Sequence, residues 1–203
     1  GFNAKSSLVC CYPLLGGFIE ASAALIREKI DKVEREHNMK PRLLLSAHGL
    51  PEYVVKGGDP YQWQCTQSAQ AIAEALGISD LDWRICYQSR VGPMKWIGPS
   101  TEEEIGRAAK DGVPLVVYPH AFVNEHVETL VEIESEYGKM AKEAGVPAFE
   151  RVPTVSVHER FIESLAELVE VAASREGVFP DTGEKICPHG FKRCCVNYQE
   201  IVQ

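Results

Sequence analysis

The chain alternates short, β-branched apolar runs with longer segments of helical period, and this alternation restricts its fold more than any other feature. Apolar residues recur on one face of residues 17–36, 124–144 and 157–175, a spacing that predicts amphipathic helices. Residues 42–46 are apolar on both faces, which is typical of a buried parallel strand. Repeated strand–helix units predict an α/β fold, a three-layer α/β/α sandwich around a mostly parallel sheet.

The other predicted elements follow from the same patterns. They are strands at 7–11, 82–88, 115–118 and 148–155 and helices at 60–76 and 100–111. Ser100 and Glu103 have the spacing of a capping box at the start of the last of these helices. We expect residues 1–176 to form one domain. Residues 177–203, where the composition changes to Gly, Pro, Asp and then Cys, are expected to be an extension packed on it.

Charge and apolar content exclude two classes of protein. The formal net charge is −8, so no basic stripe is expected that could neutralise the phosphates of a nucleic acid. No apolar run approaches the ~18 residues that a membrane span requires. The first residues have no basic segment and no cleavage site, which predicts an internal stretch of a longer chain rather than a signal peptide.

The cysteine content is high for a cytosolic protein. The chain has seven cysteines, an odd number that includes two adjacent pairs. This pattern fits a secreted disulfide framework poorly. Buried thiols together with a metal–thiolate site are the favoured interpretation.

Polar segments follow four of the predicted strands, at residues 46–51, 88–93, 119–126 and 156–158. In an open α/β sheet, ligands bind beyond the carboxyl ends of the strands. These segments carry four histidines that the topology directs to one rim: His48, His120, His126 and His158. A neutral imidazole can accept a proton or bind a borderline metal such as Fe²⁺. Each histidine could instead be a hydrogen-bonded structural residue.

A row of carboxylates starts two residues after His126. Glu128, Glu132 and Glu136 are spaced by four, which places them on one helix face. Such a row is either a solvated acidic surface or a path for a divalent metal or for protons. The second interpretation is favoured because the helix is apolar over much of its circumference and a buried row needs cations or protons. The flanking apolar residues are Val127, Leu130, Val131 and Ile133.

Four segments are similar, in order and in spacing, to consecutive signature blocks of the ferrochelatase family of bacterial type. They read SAHGLP at 46–51, GDPY at 58–61, YQSRVGPMKWIGP at 87–99 and AFVNEHVETL at 121–130. The resemblance covers residues 10 to about 170 and implies the C-terminal half of a chelatase with two similar Rossmann- or flavodoxin-like α/β halves. The other half of the family's fold supplies the second wall of the porphyrin cleft.

The resemblance implies insertion of ferrous iron, as substrate, into protoporphyrin IX to form protohaem, with the isolated half inactive. It assigns catalysis to His48, His126 and Glu128. It assigns the metal path to His48, Glu128, Glu132 and Glu136, and the porphyrin wall to Val91, Trp96 and Phe122. The alternatives are a chelatase for another metal or porphyrin and a non-catalytic haem- or porphyrin-binding module.

Two positions depart from the family pattern. His120 stands where an aliphatic residue is usual, and Asn124 where a small hydroxyl residue is common. His120 would either add a metal contact or face the sheet, and we favour the sheet.

The cysteines of the extension lie at Cys187, Cys194 and Cys195. Family members with a C-terminal [2Fe–2S] cluster hold it by four Cys thiolates, so the resemblance implies such a cluster here. Free thiols and a zinc site are the alternatives. The fourth ligand would come from Cys10, Cys11 or the other half. The resemblance further implies the N-terminal half as partner, with a homodimer and peripheral contact with the inner membrane as options for a cytoplasmic enzyme.

Overall fold

The computed structural model describes residues 5–197; residues 1–4 and 198–203, which include the end of the predicted extension, lie outside the described part. The elements run in the order β1 (Ser7–Val9), α1 (Gly16–His37), β2 (Arg42–His48), α2 (Glu52–Lys56), α3 (Tyr61–Leu76), β3 (Trp83–Gln88), α4 (Thr101–Asp111), β4 (Leu115–Pro119), a π-helix (Glu128–Tyr137), α5 (Gly138–Ala144), β5 (Phe149–Arg151), α6 (Glu159–Ala173) and β6 (Gly177–Phe179).

The central sheet is parallel and has the strand order β3-β2-β4-β5. In its register His48 lies opposite Gln88, so the ends of β2 and β3 meet at one edge. A second parallel pair joins β1 to β6, with Ser7 opposite Gly177. The predicted extension therefore packs against the beginning of the chain through this pair.

Helices cover both faces of the central sheet, and the predicted α/β/α sandwich is confirmed. On one face α1 and α3 pack with Ile26, Ile30, Leu43, Leu45, Ile72, Val116 and Tyr118. On the other, α4, α5 and the π-helix pack with Leu44, Ile105, Val117, Ile133, Tyr137 and Ala141. Successive residues of β2 alternate between these two cores, as the side-chain period of a strand requires. No helix of residues 5–197 is both long and apolar enough to cross a bilayer.

The capping box that was predicted at Ser100 is present. The Ser100 hydroxyl accepts a hydrogen bond from the Glu103 N–H at 3.1 Å, and the Glu103 carboxylate accepts one from the Ser100 N–H at 2.7 Å. This reciprocal pair satisfies two amide donors that the first turn of α4 would otherwise leave free. It also lowers the pKa of Glu103, because the Ser100 N–H stabilises the carboxylate.

The prediction of one helix from 124 to 144 is wrong at its start. The helix begins at Glu128, and its first ten residues are π-helical. Local side-chain bonds hold the preceding residues in another conformation: the Glu125 carboxylate accepts the Thr154 N–H at 3.0 Å, and the His126 Nδ1 accepts the Glu128 N–H at 3.1 Å. Such bonds compete with helix formation.

Two further predictions of secondary structure need correction. The strand expected over 148–155 is limited to Phe149–Arg151, and Pro153 beyond it has no N–H to extend a ladder. The short helix α2 was not predicted. It lies in the connection between β2 and α3, directly after the segment that carries His48.

Candidate active site

His48 and Glu128 form the centre of the site. His48 ends β2 and Glu128 begins the π-helix, and the His48 Nδ1 lies 2.7 Å from the Glu128 Oε2. The His48 side chain is 42% exposed and the Glu128 side chain 33% exposed, so a ligand can reach both. The His48 carbonyl accepts a hydrogen bond from the Tyr61 hydroxyl at 3.0 Å. The pair is therefore positioned by β2, by the π-helix and, through Tyr61, by α3.

The backbone directly after His48 packs closely on the end of β3. The Gly49 N–H donates to the Gln88 carbonyl at 2.8 Å, and a Cβ at Gly49 would lie 2.9 Å from that oxygen. This close approach requires glycine at position 49.

Glu132 is the most strongly held carboxylate of the row. Its Oε1 accepts the Ser89 N–H at 2.7 Å and the Tyr137 hydroxyl at 3.0 Å. Its Oε2 accepts the Ser89 hydroxyl at 2.5 Å and the Gln88 amide at 3.3 Å. Glu136, further along the row, is exposed. The predicted row thus contains members in different environments.

An open cleft of about 470 Å³ contains most of the predicted site residues. Its lining is His48, Ser89, Val91, Trp96, Val127, Glu128, Val131, Glu132 and Glu136. Its polar lining is His48, Ser89 and the three carboxylates. Its apolar lining includes Val91 and Trp96, called the apolar wall, and Val127 and Val131 beside the carboxylates. The cleft is therefore suited to a ligand that has both polar and apolar surface.

Phe122 and His126 lie outside the lining of this cleft. Their rings are 4.9 Å apart between centroids. Because the His126 Nδ1 accepts the Glu128 N–H, His126 contacts the site through the backbone of the π-helix.

The other two histidines do not reach the cleft. His120 is fully buried against α3, where its Nε2 lies 2.9 Å from the Ser68 hydroxyl and 3.0 Å from the Cys65 carbonyl. Burial lowers the pKa of His120 to about 4, so the ring is neutral near pH 7. His158 precedes α6, and its N–H donates to the Val155 carbonyl. The expectation of four histidines on one rim is wrong. His120 adds no contact to the cleft, and its buried ring faces α3 and not the sheet as expected.

The cysteines of the extension lie near those at the start of the chain. Burial and the neighbouring Cys194 thiol raise the pKa of Cys187 to about 12. Burial also raises the pKa of Cys11, and the thiols of Cys10 and Cys187 add to that effect. The Cys10 and Cys11 sulfurs are 3.7 Å apart.

These thiols do not form a ready metal site. Among residues 5–197, no three His, Cys, Asp or Glu side chains are grouped as the ligands of a metal ion would be. Cys195 is exposed, whereas Cys187 and Cys194 are buried. In this structure the three thiols of the extension therefore do not stand together as the ligands of a cluster would.

The extension docks on the connection between α2 and α3. The Arg193 N–H donates to the Gly58 carbonyl at 3.0 Å, and the rings of Phe191 and Trp63 are 5.9 Å apart. Gly58 has a φ of +93°, and a Cβ there would lie 2.9 Å from the Lys192 nitrogen. A glycine is therefore needed at this contact.

Several residues that hold the site were not singled out from the sequence. Ser89, Gln88 and Tyr61 belong to motifs that were quoted without roles for them, and Tyr137 lies in the predicted helix over 124–144 without a role. Both tyrosines follow the general rule that a largely buried phenol finds a hydrogen-bond partner.

Comparison with known proteins identifies the family of the chain. The sequence model of the ferrochelatase family matches residues 2–173. The chain is 50% identical over 190 residues to a ferrochelatase of Phenylobacterium zucineum, covering 94% of this chain and 54% of that protein. It is 45% identical over 196 residues to a ferrochelatase of Hyphomonas neptunium, covering 95% and 54% of the two chains. A ferrochelatase of Pelagibacter ubique is 45% identical over 203 residues, which cover 98% of this chain and 57% of that one.

The chain spans about half the length of the curated relatives that it matches. With the matched region extending over most of its residues, this chain belongs to the ferrochelatase family.

Proposed function

We propose that this chain is the C-terminal half of a ferrochelatase, and that with an N-terminal half it inserts ferrous iron into protoporphyrin IX to form protohaem. Below, the two halves together are called the full-length enzyme. The observation that carries the proposal is the His48–Glu128 pair, 2.7 Å apart in the lining of a cleft that also contains Val91 and Trp96. The names of the relatives and their double length support it.

His48 is the base in this proposal. Its bond to Glu128 places the proton of the neutral ring on Nδ1 and leaves the lone pair on Nε2. The Nε2 then accepts a proton from a pyrrole nitrogen of the porphyrin. The Glu128 carboxylate stabilises the imidazolium that forms and holds the ring in one orientation.

The carboxylate row guides the metal. Glu128, Glu132 and Glu136 lie along one wall of the cleft, and Glu136 is at the exposed end. Carboxylate and imidazole groups bind Fe²⁺ without the strength of thiolates, and the iron must leave the protein for the ring. His126 supports the path by accepting the N–H of Glu128.

The apolar wall is assigned to the porphyrin. Val91 and Trp96 line the cleft, and Phe122 lies beside His126 outside it. A planar macrocycle has two faces, and one wall can contact only one of them. We propose that the N-terminal half supplies the second wall and that residues 1–176 act as the chelatase domain.

Metal insertion by the full-length enzyme tests the proposal. Under anaerobic conditions we expect it to convert Fe²⁺ and protoporphyrin IX to protohaem. His48→Ala is expected to lower the rate of insertion by about 10²–10⁴ while porphyrin still binds, and Glu143→Gln, an exposed change on α5, is a matched control without effect. Porphyrin binding without insertion by the unmodified protein would favour a binding module. Insertion of cobalt or of another tetrapyrrole in preference would favour a different chelatase.

A [2Fe–2S] cluster at Cys187, Cys194 and Cys195 stays a prediction from the family resemblance. Anaerobically purified protein that is red-brown and contains acid-labile sulfide would support it. A colourless protein in which the thiols of the extension react in full would count against it. A cytoplasmic location, peripheral contact with the inner membrane and a homodimer also stay predictions.

A further inference from the structure

The carboxylate oxygens of Glu132 accept hydrogen bonds from donors within the protein. Four donors reach its carboxylate, two at each oxygen, at distances between 2.5 and 3.3 Å. An ionised carboxylate offers about four lone-pair sites. A cation could therefore bind Glu132 directly only by displacing one of these donors.

Ser89 supplies two of the four donors. Its N–H donates to the Glu132 Oε1 at 2.7 Å and its hydroxyl donates to the Oε2 at 2.5 Å, so one residue binds both oxygens. The same hydroxyl lies 3.4 Å from Glu128, and its single proton is directed to the nearer Glu132.

The backbone conformation of Ser89 allows it to bind both oxygens. Ser89 follows the last residue of β3 and has a φ of +58°, in the left-handed region that non-glycine residues rarely occupy. Residues held in such regions concentrate at functional sites and depend on the surrounding structure to hold them there. Here the turn directs the N–H and the side chain of one residue to the same carboxylate.

Glu128 is held differently. Its Oε2 contacts His48 at 2.7 Å, and its exposed fraction of 33% leaves it accessible from the cleft. A carboxylate of this kind can exchange a hydrogen-bond partner for a cation, whereas the four-donor cradle of Glu132 opposes such an exchange.

On the basis of the proposed function, we infer that Ser89 is a positioning residue that holds Glu132 as a fixed negative charge beside the metal path. Glu132 attracts the incoming cation by its charge without coordinating it. This arrangement concentrates the metal near Glu128 and His48 and avoids a tight ligand that would delay transfer of the iron to the ring.

Two kinds of variant of the full-length enzyme separate this role from direct coordination, with Zn²⁺ and protoporphyrin IX as probes. Ser89→Ala removes the hydroxyl donor and frees an oxygen of Glu132 to bind the metal. The apparent KM for Zn²⁺ should fall and kcat should fall about tenfold, in line with the loss of one hydrogen bond to a charged group. Glu132→Gln removes the charge, so the KM for Zn²⁺ should rise about tenfold. The KM for porphyrin should stay the same in both variants.

Ser89→Gly tests the contribution of the backbone and guards against misfolding. It removes the hydroxyl but relaxes the left-handed conformation, and it should match Ser89→Ala in its metal kinetics. Ser174→Ala, which removes an exposed hydroxyl after α6, is the matched control. The inference is overturned if the serine variants and Glu132→Gln shift the KM for Zn²⁺ in the same direction, or if the serine variants leave kcat and KM unchanged.

A second measurement keeps the inference apart from the proposed function. Hydrogen exchange of the Ser89 amide requires no catalysis. The amide should be protected in the unmodified enzyme and exchange faster in Glu132→Gln. Equal exchange in the two proteins would show that Ser89 does not hold Glu132. If the unmodified enzyme inserts no metal but the Ser89 amide is protected, the proposed function is rejected, and with it the role of Glu132 in attracting the metal. The contact between Ser89 and Glu132 would then be a structural one.

Discussion

The His48 Nδ1 lies 2.7 Å from the Glu128 Oε2, although the two residues are 80 positions apart in the chain. The contact joins the end of a central strand to the first residue of the π-helix. A carboxylate in this position orients the imidazole, as it does in many sites where histidine acts on a substrate. The two side chains should therefore act as one unit.

The first prediction is that the effects of His48→Ala and Glu128→Gln on insertion are not additive. His48→Ala should reduce kcat by about 10²–10⁴, the usual contribution of a general base. Once His48 is removed, Glu128→Gln should add little further loss, because its main contribution acts through the imidazole. Steady-state rates of the single and double variants measure this. Losses that multiply would show that the two residues contribute independently.

The second prediction concerns pH and the buried His120. Burial lowers its pKa to about 4 in the folded protein, against about 6.5 in the unfolded chain. Between these values the unfolded chain binds more protons, so stability is lost as the pH falls from about 6.5 towards 4. The loss at pH 5 should be about 2 kcal/mol relative to pH above 7.

Chemical denaturation at pH 5.0 and 7.5 measures this effect, with His120→Leu as comparison. Carboxylates contribute to acid destabilisation in both proteins, so the quantity of interest is the difference between their pH dependences. Between pH 7.5 and pH 5.0, the unfolding free energy of the variant should fall by about 2 kcal/mol less than that of the unmodified protein. An identical pH dependence in the two proteins would contradict the neutral, buried assignment of His120.

The third prediction concerns the contact of the extension with Gly58. In Gly58→Ala the new Cβ would lie 2.9 Å from the Lys192 nitrogen, and φ is +93°, so the extension should be displaced. Gly77→Ala is the matched control, because its φ is +62° and no atom lies within 4 Å of the new Cβ. Both should lose about 1–2 kcal/mol through backbone strain.

Thiol reactivity distinguishes the two glycine variants. Cys187 is buried, and displacement of the extension should expose it to an aromatic disulfide reagent. Gly58→Ala should raise the rate of modification of Cys187, followed by peptide mass spectrometry, whereas Gly77→Ala should leave it unchanged. An equal rate in both variants would show that the contact at Gly58 does not hold the extension in place.

Much of the fold could be predicted because its signals are local. The apolar run of β2 and the capping box at Ser100 depend on a few neighbouring residues, and both were identified correctly. The start of this helix at Glu128 could not be predicted. It depends on Glu125 finding partners in Arg151 and Thr154, which are distant in the sequence. Tertiary contacts of this kind override a helical period.

The site shows the same division. The strand–helix order located His48 and the carboxylate row at one edge of the sheet, but it also placed His120 there. The side chain of His120 instead turns towards Ser68 on α3, a choice that depends on packing. The role of Ser89 was not predicted, because a positive φ at a non-glycine residue has no sequence signal.

The last prediction is that the 203-residue chain alone folds but does not insert metal at a useful rate. Its central sheet has helices on both faces and its own core, so folding does not need the other half. Around the cleft, however, large apolar side chains remain exposed, with 69% for Val91 and 67% for Val127. Without a second wall the porphyrin is not held with its nitrogens at the His48 imidazole, and the rate should fall below about one hundredth of that of the full-length enzyme.

The same exposed surface should make the isolated chain self-associate at micromolar concentration, which light scattering after gel filtration measures. Val91→Ser combined with Val127→Ser should reduce this association, and Met140→Ser on α5, outside the cleft, should not. The N-terminal half of the Phenylobacterium zucineum relative, added in trans, should bind the unmodified chain and raise its rate of insertion. A monomeric chain that inserts Fe²⁺ or Zn²⁺ at the full-length rate would show that one wall is sufficient, because every group needed for the reaction would then lie within this half.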